Sequence, residues 1–138
     1  GSPWARTYTC SDGRWITVQS LEPGFYGELL TRLGLQDDPD FARQHDPRSW
    51  PAGIATLTAL FVTKTRDEWV DLLEGTDACF APVLSMREAR EHPHNQAREN
   101  FVTVDDHTQP APSPKFGLTP QEVGVVPRSG AHTREILG

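Results

Sequence analysis

Long apolar runs and basic runs are both absent from this sequence. Its longest apolar stretch, Thr58–Val62, is far shorter than the roughly 20 residues of a membrane-spanning helix. The 138 residues include 13 Lys and Arg against 19 Asp and Glu, a formal net charge of −6. Because a nucleic-acid-binding domain normally presents a positive face, the sequence predicts neither a membrane span nor a nucleic-acid partner.

Cysteine is also scarce. The two cysteines, Cys10 and Cys79, lie in segments typical of strands, and two buried thiols in a reducing compartment are favoured over a disulfide. No signal-peptide pattern precedes the first predicted strand, and Gly1 and Ser2 are interpreted as a cloning scar. We therefore expect a cytoplasmic protein.

Motifs for several kinds of chemistry are missing as well. There is no Gly-x-Ser-x-Gly nucleophile elbow and no glycine-rich phosphate loop. His92 and His94 flank a proline that prevents helical presentation of the pair, whereas a metal site needs three or four converging ligands. The apolar neighbours of Cys79 favour burial over a nucleophilic role. The sequence thus predicts no metal, and the chain by itself holds no complete acid–base pair.

Apolar spacing and turn signals predict an α+β fold, with a small and mostly antiparallel sheet packed with helices. The predicted elements are strands at 7–10 and 15–19 around an Asp-Gly turn, a helix at 23–33, a helix capped by Ser49, a helix opened by a capping box at Thr65, a buried strand at 80–84, helices at 85–91 and 93–98, and a strand at 101–104. The predicted inward faces comprise Phe25, Leu29, Leu30 and Leu33, then Ile54, Leu57, Leu60 and Phe61, then Trp69, Leu72 and Leu73.

Proline changes the composition near the C-terminal end. Five prolines fall between residues 109 and 130, a segment without apolar periodicity, and proline opposes regular helix there. We expect residues 3–108 to form a small α+β domain and residues 109–138 an extended arm that ends in a short helix near 132–137. A chain of this length can bury a core without disulfides or metals.

The most informative segment is the predicted strand-to-helix corner at Ser20–Tyr26. Glu22 precedes Pro23, which suits the first helical turn because its missing N–H costs no hydrogen bond there. A carboxylate at this position can be held by the helix N–H groups and by the positive end of the helix dipole. Glu22 is therefore either a helix cap or a working carboxylate, and the local pattern alone favours the cap.

Seven segments match the sequence pattern of one enzyme family. They occur in the same order as in the family and extend over nearly the whole chain. They are YTCSDGRW at 8–15, LEPGFY at 21–26, SWP at 49–51, TRDEW at 65–69, GTDACFAPVL at 75–84, HPHNQAR at 92–98 and GAHTREIL at 130–137. Together they resemble the C-terminal part of the α-methylacyl-CoA racemases, within the class III CoA-transferase family. The resemblance implies a small domain with a returning arm, from which the N-terminal CoA-binding and catalytic domain is missing.

The resemblance also implies a reaction and a site. Such racemases are isomerases of fatty-acid metabolism. They take a proton from the carbon next to an acyl-CoA carbonyl and return it on the opposite face, using an N-terminal histidine and aspartate. They need no cofactor and form interlocked homodimers. Glu22 matches their supporting carboxylate beside the histidine, so this chain alone is expected to be inactive. Gln19-Ser20 replaces the usual Gly-Ala and Gly24 the usual Gln, which affects the shape of the loop.

Two alternatives remain open. A class III CoA-transferase would use an N-terminal aspartate to form a covalent acyl intermediate, although those enzymes generally carry other residues at the position of Glu22-Pro23. A non-catalytic module could instead bind a protein partner through the proline-rich segment, which fits the charge and composition equally well. An upstream reading frame of a few hundred residues would argue against that module.

Overall fold

The computed structural model describes residues 1–138, which divide into two units, residues 1–83 and 84–138. The first unit contains β1 (Ala5–Thr9), β2 (Trp15–Gln19), α1 (Pro23–Leu33), a 3₁₀ turn (Pro39–Phe41), α2 (Trp50–Phe61), α3 (Arg66–Leu73) and β3 (Phe80–Val83). The second contains α4 (Met86–Glu91), α5 (Pro93–Ala97), β4 (Phe101–Val104), β5 (His107–Pro110) and α6 (Thr133–Leu137). Both sheets are small and antiparallel, so the predicted α+β class is confirmed.

The sheet of the first unit has the order β1-β2-β3, with β2 in the centre. The β1–β2 hairpin turns at the predicted Asp-Gly pair, where Gly13 adopts a φ of +74° that a side chain would disfavour. The chain then passes through three helices before β3 pairs antiparallel with β2, with Val18 opposite Phe80. β2 therefore reaches the α1 corner from the middle of the sheet.

The strand predicted at 80–84 is present at Phe80–Val83, but the prediction that it is buried is wrong. β3 is an edge strand whose residues alternate between half-buried and exposed, and Val83 is 37% exposed. The edge position also explains how Pro82 is tolerated, since proline cannot donate to a neighbouring strand. The buried side chain of Arg66 donates from Nη1 to the Val83 carbonyl at 3.2 Å, which ties the start of α3 to the end of this strand.

The core of the first unit lies between one face of the sheet and the helices. Ile16 and Val18 alternate along β2 and are completely buried, as expected for a central strand with one covered face. The predicted inward residues Leu29, Leu30, Leu57, Phe61, Trp69 and Leu73 are buried, whereas Phe25, Leu33, Ile54 and Leu60 are half-buried. Leu72 is 38% exposed, a correction that arises because Trp69 and Leu73, one turn apart, already fill the inner face of the short α3.

Local signals set most helix ends. At α3 the Glu68 amide donates to Thr65 Oγ1 at 3.3 Å, and the Thr65 amide donates to the Glu68 carboxylate at 2.8 Å. This is the predicted capping box, and the second one, formed by Ser85 and Glu88, opens α4. Gly34 ends α1 with a φ of +69° in the left-handed region. These confirmed boundaries all depend on residues within one turn of the helix end.

The predicted cap by the Ser49 side chain is wrong. Ser49 does precede α2, but its backbone is already helical, with φ −86° and ψ −18°, and its side chain makes no capping bond. The hydroxyl instead donates to the carbonyl of Asp46 at 2.9 Å. A capping side chain needs an extended backbone at its own position, and the preceding turn at Asp46 removes that possibility.

The second unit is built on the β4–β5 hairpin. Val104 pairs with His107 across a two-residue turn in which Asp105 and Asp106 have φ of +47° and +62°. β5 was absent from the predicted elements, and its last two residues occupy the start of the expected extended arm. Residues 111–128 contain no helix or strand, and α6 follows as expected. The division into a domain at 3–108 and an arm at 109–138 stays a prediction. None of the helices is long and apolar enough to cross a membrane.

Candidate functional site

Glu22 lies at the corner between β2 and α1, and its side chain is exposed. Its backbone is extended, with φ −74° and ψ 146°, and its carbonyl accepts the first helical bond from the Tyr26 amide at 2.9 Å. It therefore occupies the N-cap position, but its carboxylate makes no capping hydrogen bond. The expected role as a side-chain cap is wrong.

The backbone of this corner is fixed by other parts of the first unit. Ser20 is completely buried, and its hydroxyl donates to the carbonyl of Ala78 at 2.7 Å. Its amide donates to the carbonyl of Trp4 at 2.9 Å. Gln44 Nε2 donates to the carbonyls of Ser20, at 3.1 Å, and Leu21, at 2.8 Å. Glu22 is thus presented from a corner held by three distant segments.

Gln44 is a contact residue that sequence reasoning missed. Its own backbone carbonyl accepts bonds from the indole Nε1 of Trp4, at 3.1 Å, and of Trp50, at 2.8 Å. The two indoles pack edge to face, with ring centroids 6.3 Å apart. Gln44 lies in the polar segment 36–47, where neither spacing nor composition distinguishes it from its neighbours.

Cys79 lies close enough to Glu22 to be affected by its charge. Its carbonyl accepts a bond from the Gln19 amide at 2.9 Å, beside the same corner, and its φ is +47°. Burial raises the pKa of the Cys79 thiol, and the negative charges of Glu22 and Asp77 raise it further. A raised pKa disfavours the nucleophilic thiolate at neutral pH. Cys79 is only half-buried and precedes β3, so the prediction of a buried thiol in a strand is not met at this residue, although the raised pKa still disfavours a nucleophilic role.

Comparison with known proteins decides the family. The profile of CoA-transferase family III matches residues 1–133. This chain belongs to CoA-transferase family III. It is 36% identical over 140 residues to the α-methylacyl-CoA racemase of Mus musculus, covering 99% of this chain and 36% of that protein. It is also 36% identical over 141 residues to an acyl-CoA transferase of Fusarium pseudograminearum, covering 90% of this chain and 30% of that protein.

Two further facts follow from the comparison. The chain spans about a third of the length of these curated relatives. Its fold is similar to that of Rv3272 from Mycobacterium tuberculosis, with a TM-score of 0.70 over 96% of this chain and 40% of the other. The sequence identity to that structure is 18%, so the likeness concerns the fold alone.

Two of the seven segments that resemble the family meet at the Glu22 corner, and a third is linked to it through Gln44. Segment 21–26 forms the corner itself. Segment 75–84 supplies Ala78, the acceptor for the buried hydroxyl of Ser20. Segment 49–51 supplies Trp50, which binds the carbonyl of Gln44. Segments that are far apart in the chain therefore help to hold the backbone of this corner, whereas the role of the Glu22 carboxylate stays a prediction.

The two departures from the family pattern have different structural consequences. Ser20 adds a buried hydrogen bond to the Ala78 carbonyl that alanine could not make. Gly24 is exposed, and a Cβ built there meets nothing within 4 Å. Its backbone does not require glycine, so a side chain at this position would fit on the surface of the first turn.

The histidines do not form a metal centre in this structure. No group of three or more His, Cys, Asp or Glu side chains is placed to hold a metal ion. His92 precedes α5 and His94 lies within it, separated by the helix-starting Pro93. His45 is exposed and packs against the edge of the Trp4 ring, with ring centroids 5.6 Å apart.

We expect Ser20→Ala to destabilise the folded chain by about 1–3 kcal/mol. The change removes the Ser20–Ala78 hydrogen bond and leaves the Ala78 carbonyl buried without this partner. The free energy of unfolding in urea measures the effect. Ser11→Ala, at an exposed hairpin position, is the matched control and should change it by less than about 0.5 kcal/mol. Equal losses in the two variants would show that the buried bond is unimportant.

Proposed function

We propose that the chain is the C-terminal part of an α-methylacyl-CoA racemase, with Glu22 as its supporting carboxylate. The reaction removes a proton from the carbon next to the thioester carbonyl and returns a proton on the opposite face. One observation carries the proposal: the Glu22 carboxylate is exposed and neither caps its helix nor forms an ion pair in this chain, yet its backbone is held at three points. A carboxylate kept in this way suits a partner outside the chain.

The partner that fits best is a protonated imidazole. A carboxylate next to histidine favours the charged form of the ring and fixes its tautomer. In a racemase the histidine becomes cationic when it takes the substrate proton, so a nearby negative charge lowers the energy of that step. Glu22 would then act by charge, whereas the proton itself moves between the substrate and groups in the remainder of the protein.

The rest of the site must come from outside this chain. A proton-transferring histidine and aspartate, together with most of the CoA-binding surface, would lie in the N-terminal part of the same protein. We propose that two such subunits interlock as a homodimer, so that this unit faces the large domain of its partner. The substrate would be an acyl-CoA thioester, the reaction would need no cofactor, and the compartment would be the cytoplasm.

A class III CoA-transferase is the second candidate, because the identity to the acyl-CoA transferase relative equals that to the racemase relative. Such an enzyme would form a covalent bond between an aspartate and the acyl group and exchange the CoA. The two reactions differ in one observable: the racemase labilises the α-hydrogen of its substrate, whereas the transferase requires an acceptor acid.

The experiment is α-hydrogen exchange in deuterated water with a 2-methylacyl-CoA. We expect the full-length protein to incorporate deuterium at the α-carbon without any acceptor acid. We expect the chain of residues 1–138 alone to give only the buffer rate, because it lacks the proton-transferring pair. Acceptor-dependent CoA transfer without exchange would support the transferase. Enzyme-dependent exchange by the isolated chain would contradict the proposal that the proton-transferring groups lie in the N-terminal part of the protein.

A further inference from the structure

The residue just before Glu22 is held by hydrogen bonding and not by packing. Leu21 is 48% exposed, so its side chain contributes little to fixing the corner. Its carbonyl, however, accepts a 2.8 Å bond from Gln44 Nε2, and the preceding carbonyl of Ser20 accepts from the same nitrogen at 3.1 Å. Because both acceptors are carbonyl oxygens, only the nitrogen of the side-chain amide can satisfy them.

The bond to Leu21 has a direct geometric consequence for Glu22. A peptide unit is planar, so the carbonyl of Leu21 and the amide of Glu22 move as one rigid group. Fixing that carbonyl therefore fixes the plane from which the Cα of Glu22 departs. Successive carbonyls of a strand point in opposite directions, whereas those of Ser20 and Leu21 share a single donor. The Gln44 contact thus defines the turn out of β2.

Gln44 is itself anchored firmly enough for this task. Its backbone carbonyl accepts from the indole nitrogens of Trp4 and Trp50. Trp4 is 7% exposed and belongs to the core cluster. Its backbone carbonyl also accepts a hydrogen bond from the amide of Ser20 at 2.9 Å. Gln44 therefore links the two tryptophans, which bind its backbone carbonyl, to the peptide next to Glu22, which binds its side-chain amide.

We propose that Gln44 is the positioning residue for Glu22, and that its amide sets where the supporting carboxylate lies. This inference rests on the proposed function of Glu22. A group that must meet a reacting histidine depends steeply on placement, since a displacement of about 1 Å can cost on the order of a hundredfold in rate. Gln44 itself touches neither substrate nor the reacting atoms in this scheme, and it acts only through the corner.

The test uses Gln44→Met in the full-length protein, which keeps the length of the side chain and removes the donor. We expect α-hydrogen exchange of a 2-methylacyl-CoA to slow on the order of tenfold. In the Glu22→Gln background the same change should slow exchange by less than about twofold, because the charge to be positioned is already gone. A purely structural role would slow both backgrounds by the same factor. Gln36→Met, an exposed position in the same loop, is the matched control.

A second measurement does not depend on activity. Deuterium uptake by backbone amides of residues 19–26, followed by mass spectrometry in the full-length protein, should be faster in Gln44→Met and unchanged in Gln36→Met. Gln44→Glu, which keeps the side-chain shape and lacks the N–H donors at neutral pH, should repeat the result and replaces the methionine variant if that does not fold.

The outcomes separate the two proposals. If Glu22→Gln slows exchange while Gln44→Met leaves both rate and uptake unchanged, the positioning role is wrong and the proposed function stands. If Glu22→Gln has no effect, or if the unsubstituted protein shows no exchange, the proposed function fails. Uptake at residues 19–26 then still decides whether Gln44 holds the corner. Equal slowing in both Glu22 backgrounds also overturns the positioning role.

Discussion

Glu22→Gln in the full-length protein is expected to slow α-hydrogen exchange of a 2-methylacyl-CoA by about ten- to hundredfold. Loss of one such interaction corresponds to about 1–3 kcal/mol of barrier. Glutamine keeps the size of the side chain and removes its negative charge. Because the Glu22 carboxylate makes no capping bond, folding should be unaffected, and the loss of rate should report the charge alone.

The pH dependence of the rate gives an independent check on the same substitution. A negative charge beside a histidine stabilises the imidazolium and raises its pKa, so removing the charge lowers that pKa. The limb of the pH–rate profile that reports the histidine should therefore move to lower pH in Glu22→Gln. Asp71→Asn, which removes a charge from an exposed position on α3, should leave rate and profile unchanged. An unaltered profile in a folded, dimeric Glu22→Gln protein would contradict the supporting role.

Local patterns predicted the framework of the first unit well, because the relevant contacts are local. Pro23 and Gly34 bound α1 at the predicted residues, and the capping box of Thr65 needs only the residue three positions later. The same reasoning failed where the outcome depends on tertiary context. The burial of Phe80–Val83 could not be predicted, because an edge strand and a central strand share the same apolar pattern.

The hairpin of the second unit illustrates a different limit. Sequence reasoning weights Asn-Gly and Asp-Gly as turn signals, and Asp105-Asp106 carries neither. The positive φ of both residues is a conformation that Asp tolerates better than most side chains. Proline at the end of β5 also weakens the strand pattern, so the sequence predicts no strand here and assigns the last two residues of β5 to the extended arm.

One residue of the candidate site could be predicted from the sequence, but the contacts that hold it in place could not. The resemblance to the racemases selects Glu22, whereas the local pattern favours a helix cap that the structure does not contain. Gln44 could not have been selected, because its contact with Leu21 joins residues 23 positions apart and no periodicity encodes such a pairing. The departure at Ser20 marks the corner as unusual, but only its contact with Ala78 explains why a hydroxyl is present.

The core that supports this corner should be most sensitive at Phe61. Its side chain is completely buried at the end of α2, with ring centroids 5.0 Å from Tyr8 and 5.1 Å from Trp69. Phe61→Ala deletes the ring and leaves a cavity that these neighbours can fill only in part. We expect a loss of about 3–5 kcal/mol in the free energy of unfolding, a large share of the roughly 5–15 kcal/mol of a typical domain.

Urea unfolding of the 138-residue chain, followed by its tryptophan fluorescence, to which the buried Trp4 and Trp69 contribute, measures this loss. Phe116→Ala is the matched control, because Phe116 is 50% exposed and should cost less than about 1 kcal/mol. Phe61→Leu keeps most of the volume and should cost less than the alanine variant, which preserves a readable transition if Phe61→Ala is largely unfolded. If Phe61→Ala and Phe116→Ala lost the same stability, Phe61 would not be central to the core that holds β2 and α1 at the Glu22 corner.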